Sequence, residues 1–185
     1  MKIIAFTGAG ISKQSNIPIF MERPSIREKL FRSYATSHPQ EYNEVIKQLK
    51  KNMNGAKPND AHYALAEYNI PVITMNIDGL HQLAGSDALE LHGSLPNDDE
   101  MDIAYSLYNK PVLYGDPAPN YKKAYEMVYA LNNNDIFLVI GCSYHTAIAC
   151  DLREIAKLKG AKIIEIQADA ANNVRKVLET LVKGK

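Results

Sequence analysis

Four short clusters in this chain join glycine or other small residues to groups that bind anions, read amides or move protons. The first is Gly8-Ala9-Gly10-Ile11-Ser12, preceded by Thr7 and by an apolar run. Glycines there let backbone N–H groups approach a phosphate, and a following helix N-terminus favours the negative charge. A full dinucleotide-binding pattern would place a third glycine at position 13, where Lys13 stands. A phosphate site and a plain strand-to-helix turn therefore both remain open for this segment. The second cluster is Asn76-Ile77-Asp78-Gly79, following another apolar run. An amide and a carboxylate two residues apart can read a carboxamide and a sugar hydroxyl, or Asp78 can cap a helix that begins near Gly79.

The third cluster is Glu90-Leu91-His92-Gly93. A histidine beside glycine at a strand end suits a general base, its ordinary pKa being about 6.5, although a lone histidine is also a common structural residue. The fourth is Gly141-Cys142-Ser143, where small residues permit close approach and the Ser143 hydroxyl can meet a phosphate or ribose. Each cluster ends an apolar run, so the elements that position them can be read from those runs.

Short continuous apolar segments at 2–7, 71–75, 111–114, 136–141 and 162–167 predict strands buried on both faces. A further short run, 88–91, ends at the third cluster. Helical patterns fall at about 25–35, 40–53, 60–68, 119–132, 147–158 and 170–182. Such alternation predicts an α/β fold, a parallel sheet with helices on both faces and right-handed crossovers. All four clusters would then share the rim at the carboxyl ends of the strands. Residues 94–109, with the acidic run Asp98-Asp99-Glu100, read as a solvated loop or as a lid or partner-facing segment.

The chain's 185 residues suit one domain, spanning 1–185, with a possible small excursion at about 94–110. Lysine and arginine number 21 and aspartate and glutamate 21, a balance that argues against a nucleic-acid or anionic-membrane partner. Two cysteines, Cys142 and Cys150, are too few for a disulfide framework and read as small buried residues in a reducing, cytoplasmic setting. The apolar start at 2–6 is broken by Thr7 and Gly8 and does not read as a signal sequence.

The ordered series GAGIS, Ile17-Pro18 with Phe20, TMNIDGLHQ, ELHG, GCS and a final IIEIQ resembles the motif series of the sirtuins, the NAD-dependent protein deacylases. The resemblance runs from Lys2 to about Asp169. It implies a Rossmann-like domain that uses NAD as co-substrate. Gly8, Ala9, Gly10 and Ser12 would line phosphates and the nicotinamide ribose, and Phe20 would cover the reactive sugar face. Asn76 would hold the ribose and a water, Asp78 would accept from the carboxamide, and Ile77 would pack beside it. Gly141, Cys142, Ser143 and Gln167 would meet phosphates and the adenosine ribose.

The implied reaction begins with attack of an acyl-lysine carbonyl oxygen on the sugar carbon and expulsion of nicotinamide. His92, with Asn76 and Asp78 as further catalytic positions, then draws a ribose proton, and O-acyl-ADP-ribose leaves. The segment holding Tyr114, Gly115 and Asp116 resembles the family's substrate-binding loop, which implies that an acyl-lysine peptide would pair there by strand addition. The sequence departs from the family at Ile19, Met21, Met75 and Gln167, which replace polar or charged cofactor contacts. The usual four-cysteine zinc module has no counterpart, so no zinc is expected and the small domain is reduced. An NAD glycohydrolase or ADP-ribosyltransferase, and a non-catalytic NAD or ADP-ribose sensor, are the competing readings.

Overall fold

A computed structural model describes residues 1–17, 24–144 and 146–183. Five parallel strands form one sheet: β1 (Ile3–Thr7), β2 (Val72–Thr74), β3 (Leu89–Glu90), β4 (Ile136–Ile140) and β5 (Lys162–Ile166). Their spatial order is β3-β2-β1-β4-β5, with β1 central. Thr7 sits in register with Thr74 on one side and Ile140 on the other, which brings three of the four clusters to one rim. From β1 the chain moves outward to β2 and β3, then returns to add β4 and β5 on the opposite flank. That reversal opens a crevice beyond the carboxyl ends of β1 and β4, where ligands bind in open α/β sheets.

The helices are α1 (Pro24–Arg27), α2 (Arg32–Ser37), α3 (Pro39–Met53), α4 (Asp60–Glu67), α5 (Leu80–Leu83), α6 (Tyr121–Tyr129), α7 (Ala147–Leu158) and α8 (Ala170–Lys183). Strand alternation divides the apolar side chains between two layers. Ile4, Phe6, Phe137 and Val139 pack against Ala124 and Val128 of α6 and Ile148, Ala149 and Leu152 of α7. Ile3, Ala5, Leu138 and Ile140 face Ala61, Ala64 and Leu65 of α4 and Val174 and Leu178 of α8. A third cluster joins Ala35, Tyr42, Ile46 and Leu49 to Met101, Ala104 and Leu113.

Three sequence expectations change. The helix expected over 25–35 is broken at Phe31, whose φ of −90° and ψ of 140° are extended. The 111–114 run joins no sheet; Phe31 instead forms an isolated parallel bridge with Tyr114, and Val112 N–H donates to the His92 carbonyl at 2.9 Å. Its apolar residues are explained by burial of Leu113 in the third cluster. The acidic segment expected as a loop contains a 3₁₀ helix, Asp98–Ser106, started by a reciprocal Asn97–Glu100 capping box. Asn43 on α3 clamps it, donating to the Asp102 carbonyl at 2.7 Å and accepting from Tyr105 N–H at 3.0 Å.

Candidate functional site

Glycine packing sets the first turn. A Cβ on Gly10 would lie 2.5 Å from the Gly141 Cα, and one on Gly8 would lie 2.7 Å from the Gly141 carbonyl oxygen. Gly10 N–H donates to that same oxygen at 3.0 Å. The turns after β1 and β4 therefore interlock through bare backbone, and Gly141, at φ +60°, holds a left-handed conformation that favours glycine. Both readings of the GAG segment have a physical basis: the glycines are required by packing, and they leave Ala9 exposed on the rim.

Beside this turn the polar side chains converge. Ser12 Oγ donates to Asp78 Oδ2 at 2.6 Å, and Asn76 Nδ2 donates to Ser12 Oγ at 3.1 Å and to the Gly8 carbonyl at 3.2 Å. Asp78 Oδ1 accepts from Leu80 N–H at 3.0 Å, so the carboxylate caps α5 with one oxygen and serves the cluster with the other. Ile77 is half-buried beside them.

Two histidines underpin the cluster. His62 Nδ1 accepts from Asn59 N–H, so its Nε2–H points to Ser12 Oγ at 3.4 Å. Thr7 Oγ1 donates to Thr74 Oγ1 at 2.8 Å and lies 2.9 Å from His81 Nε2, which assigns the proton of neutral His81 to Nε2. The two rings are 4.9 Å apart. Burial pushes His62 down to about 4 and His81 down to about 3, so both are neutral at physiological pH. Neither was singled out by the sequence. His81 stood two residues past the second cluster and His62 four residues after Pro58, but only the fold brings their tilted rings together beneath Ser12 and Thr7.

His92 hangs from the same segment: its Nδ1 lies 3.0 Å from the carbonyl oxygen of Met75, the residue before Asn76. A carbonyl only accepts, so Nδ1 carries the hydrogen and Nε2 is the basic nitrogen. Burial lowers its pKa, partly offset by the Met75 carbonyl. Nε2 lies 3.1 Å from the Tyr121 hydroxyl at the start of α6. His92 is thus half-buried and held at both nitrogens.

On the far side of the crevice Ser143 is exposed, while the Cys142 side chain is buried, its Sγ directed at the Phe6 and Ile140 carbonyls, and burial raises its thiol pKa. Cys142 therefore offers the rim only its backbone, and Arg153 already donates to its carbonyl at 2.9 Å. Arg153 also binds Glu165 at 2.8 Å and stacks on Tyr144, which itself donates to Glu165 at 2.6 Å. Gln167, exposed, donates to the other Glu165 oxygen at 2.6 Å. Cys150, expected to be buried, is exposed.

In the 114–116 loop, Tyr114 and Gly115 are exposed, but both oxygens of Asp116 face Arg32, Oδ1 at 2.7 Å and Oδ2 at 2.6 Å. Arg32 also donates to the Tyr105 and Leu107 carbonyls, each at 2.6 Å, so this pair staples α2 to the 98–106 helix. Asp116 carries structure where a substrate contact was expected. Phe20, with Ile19 and Met21, lies outside the described residues. Among the described residues, no group of three or more His, Cys, Asp or Glu side chains is placed to hold a metal, and no helix is long and apolar enough to cross a membrane.

The rim brings together exposed backbone at Ala9, a serine hydroxyl, an amide and a carboxylate, groups able to bind a phosphate, a sugar hydroxyl and a carboxamide. Comparison with known proteins agrees. The profile of the Sir2 family matches residues 8–107. An NAD-dependent protein deacylase 2 of Archaeoglobus fulgidus is 34% identical, covering 90% of this chain and 79% of that protein. An NAD-dependent protein deacylase of Thermococcus sibiricus is 30% identical over 99% of this chain and 86% of its own. Among solved structures, a Sir2 complex with a p53 peptide and NAD⁺ superposes with a TM-score of 0.79 at 26% identity, covering 98% of this chain and 94% of that one.

Proposed function

Because the chain belongs to the Sir2 family, we propose that it is an NAD-dependent protein-lysine deacylase, consuming NAD as a co-substrate and releasing nicotinamide and O-acyl-ADP-ribose. The observation that carries this reading is the meeting of Ser12, Asn76 and Asp78 in one hydrogen-bonded cluster, with His92 suspended from the adjoining Met75 carbonyl. NAD supplies the scissile bond between sugar and nicotinamide and the hydroxyls that accept the acyl group. Asp78 Oδ2 accepts from the nicotinamide amide, and Ile77 covers the ring. Asn76 and Ser12 hold the ribose, with His62 fixing Ser12 from below. Backbone at Ala9, Cys142 and Ser143, brought to the rim by the close-packed Gly8, Gly10 and Gly141, receives the phosphates, and Gln167 reaches the adenosine side.

His92 Nε2 is the base. Burial keeps it unprotonated at neutral pH, so it is ready to take a proton without first losing one. Tyr114 and Gly115 are the exposed part of the loop on which an extended acyl-lysine peptide would add as a strand. The two unpaired thiols accord with a cytoplasmic setting.

One observation favours a second reading. Asp116 is engaged by Arg32, which leaves the peptide loop one carboxylate poorer and favours NAD hydrolysis or ADP-ribosyl transfer over deacylation. Mass spectrometry of the protein with NAD, with and without an acetyl-lysine peptide, separates the readings. Peptide-dependent O-acetyl-ADP-ribose is the expected product; free ADP-ribose without peptide would move the assignment to hydrolysis, and no turnover to a binding domain.

A further inference from the structure

We infer that Tyr121 is a proton relay to His92, a role that rests on the deacylase reading above. The argument is one of lone pairs. The Met75 carbonyl fixes the hydrogen of His92 on Nδ1, so Nε2 has a single in-plane lone pair with which to act as base. The Tyr121 hydroxyl stands 3.1 Å from that nitrogen, and with Nε2 bare it must be the donor. A substrate hydroxyl cannot use the same lone pair while Tyr121 holds it. In this arrangement the proton that reaches Nε2 is the phenolic one. As the ribose O–H breaks, its proton passes to the Tyr121 oxygen; the Tyr121 O–H breaks and its proton passes to Nε2. Tyr121 ends as it began, His92 ends protonated on both nitrogens, and the ribose oxygen is left as the nucleophile.

The neighbouring residue supports a built contact. Asn120, just before α6, donates through Nδ2 to the Glu90 carbonyl at 2.6 Å, so two consecutive residues dock on the segment that carries His92. Burial raises the Tyr121 pKa, which keeps the phenol a donor across the neutral range.

The test combines kinetics with a readout independent of turnover. In Tyr121→Phe, which keeps the ring and removes the hydroxyl, single-turnover O-acetyl-ADP-ribose formation should fall by about 10- to 100-fold. Nicotinamide exchange, which precedes the base step, should fall by less than about threefold. Formation at or above the wild-type rate would overturn the relay and make the hydroxyl a plug; equal loss of both reactions would also overturn it. In parallel, ¹⁵N spectra of histidine-labelled protein near neutral pH should place the His92 hydrogen on Nδ1, with an Nε2 signal that moves downfield in Tyr121→Phe. A hydrogen on Nε2, or an unmoved signal, would sink the proposal whatever the kinetics. If the wild type forms no O-acetyl-ADP-ribose, the deacylase reading fails and the relay falls with it, while the nitrogen shifts still decide whether Tyr121 binds Nε2.

Discussion

Asp78 can serve both roles its sequence position allowed, because a carboxylate has two oxygens. Oδ1 caps α5 and Oδ2 receives Ser12. Asp78→Asn retains an acceptor for the cap and loses the charge; nicotinamide release should fall by about 10-fold or more, equivalent to about 1.4 kcal/mol, with little change in urea midpoint. Unchanged NAD turnover in that variant would remove Asp78 from the site. His92→Ala should abolish O-acyl-ADP-ribose formation, a loss of about 10²- to 10⁴-fold, while nicotinamide release persists, because the base acts after that bond breaks. Product analysis by mass spectrometry distinguishes the two, and parallel loss would deny this division of labour. At this scale the sequence exposed the rim residues well, since each motif closes an apolar run. It did not expose their partners: Ser12 meets His62, Asp78 and Asn76, and His92 meets Tyr121, at separations that no local pattern encodes.

Elements tell the same story through packing. Four of the five strands follow from continuous apolar runs; β3, two residues long, follows from the shorter run at 88–91. The 111–114 run looked like a strand for the same reason, but its backbone pairs with the ends of other segments, and what it buries is Leu113. The 98–106 helix escaped notice because charge dominates its sequence, although Met101 and Ala104, three apart, mark the face of a 3₁₀ turn. Two substitutions test what holds these elements. Gly10→Ala places a methyl against the Gly141 backbone, where no flexible side chain can yield, and should cost about 1–3 kcal/mol as a lowered urea midpoint at constant slope. Asp116→Ala leaves Arg32 a half-buried cation without a carboxylate, held only by the Tyr105 and Leu107 carbonyls, and should cost about 1.5–3 kcal/mol. A midpoint shift below about 1 kcal/mol would mean that Arg32 finds water or another acceptor, and that the staple is not what fixes the 98–106 helix.

At the scale of the molecule, the buried histidines couple the site to stability. His62 and His81 lie beneath the crevice, neutral because burial holds them at about 4 and about 3, against about 6.5 in an unfolded chain. Between those values the unfolded state binds protons that the native state refuses, so stability is fully present above about pH 6.5 and is lost as pH falls. Each histidine contributes a slope of up to about 1.4 kcal/mol per pH unit, His62 down to about pH 4 and His81 somewhat lower. Carboxylates such as Asp116, pushed up by burial but held below the usual range by Arg32 and the Leu113 N–H, add to the loss at the acid end of that window. Thermal or urea unfolding measured from pH 7.5 to 4.5 should therefore show a steady decline that begins near pH 6.5, well above ordinary carboxylate pKa values. His62→Gln retains polar atoms for Ser12 and Asn59 but does not titrate, and should remove one histidine's share of the slope, up to about 1.4 kcal/mol per pH unit between about pH 6 and 4.5, leaving the shares of His81 and His92. The same decline in the variant as in the wild type would show that His62 is reached by water in the native state. The pair would then be a solvated feature of the crevice and not the buried floor on which Ser12 and Asp78 are set.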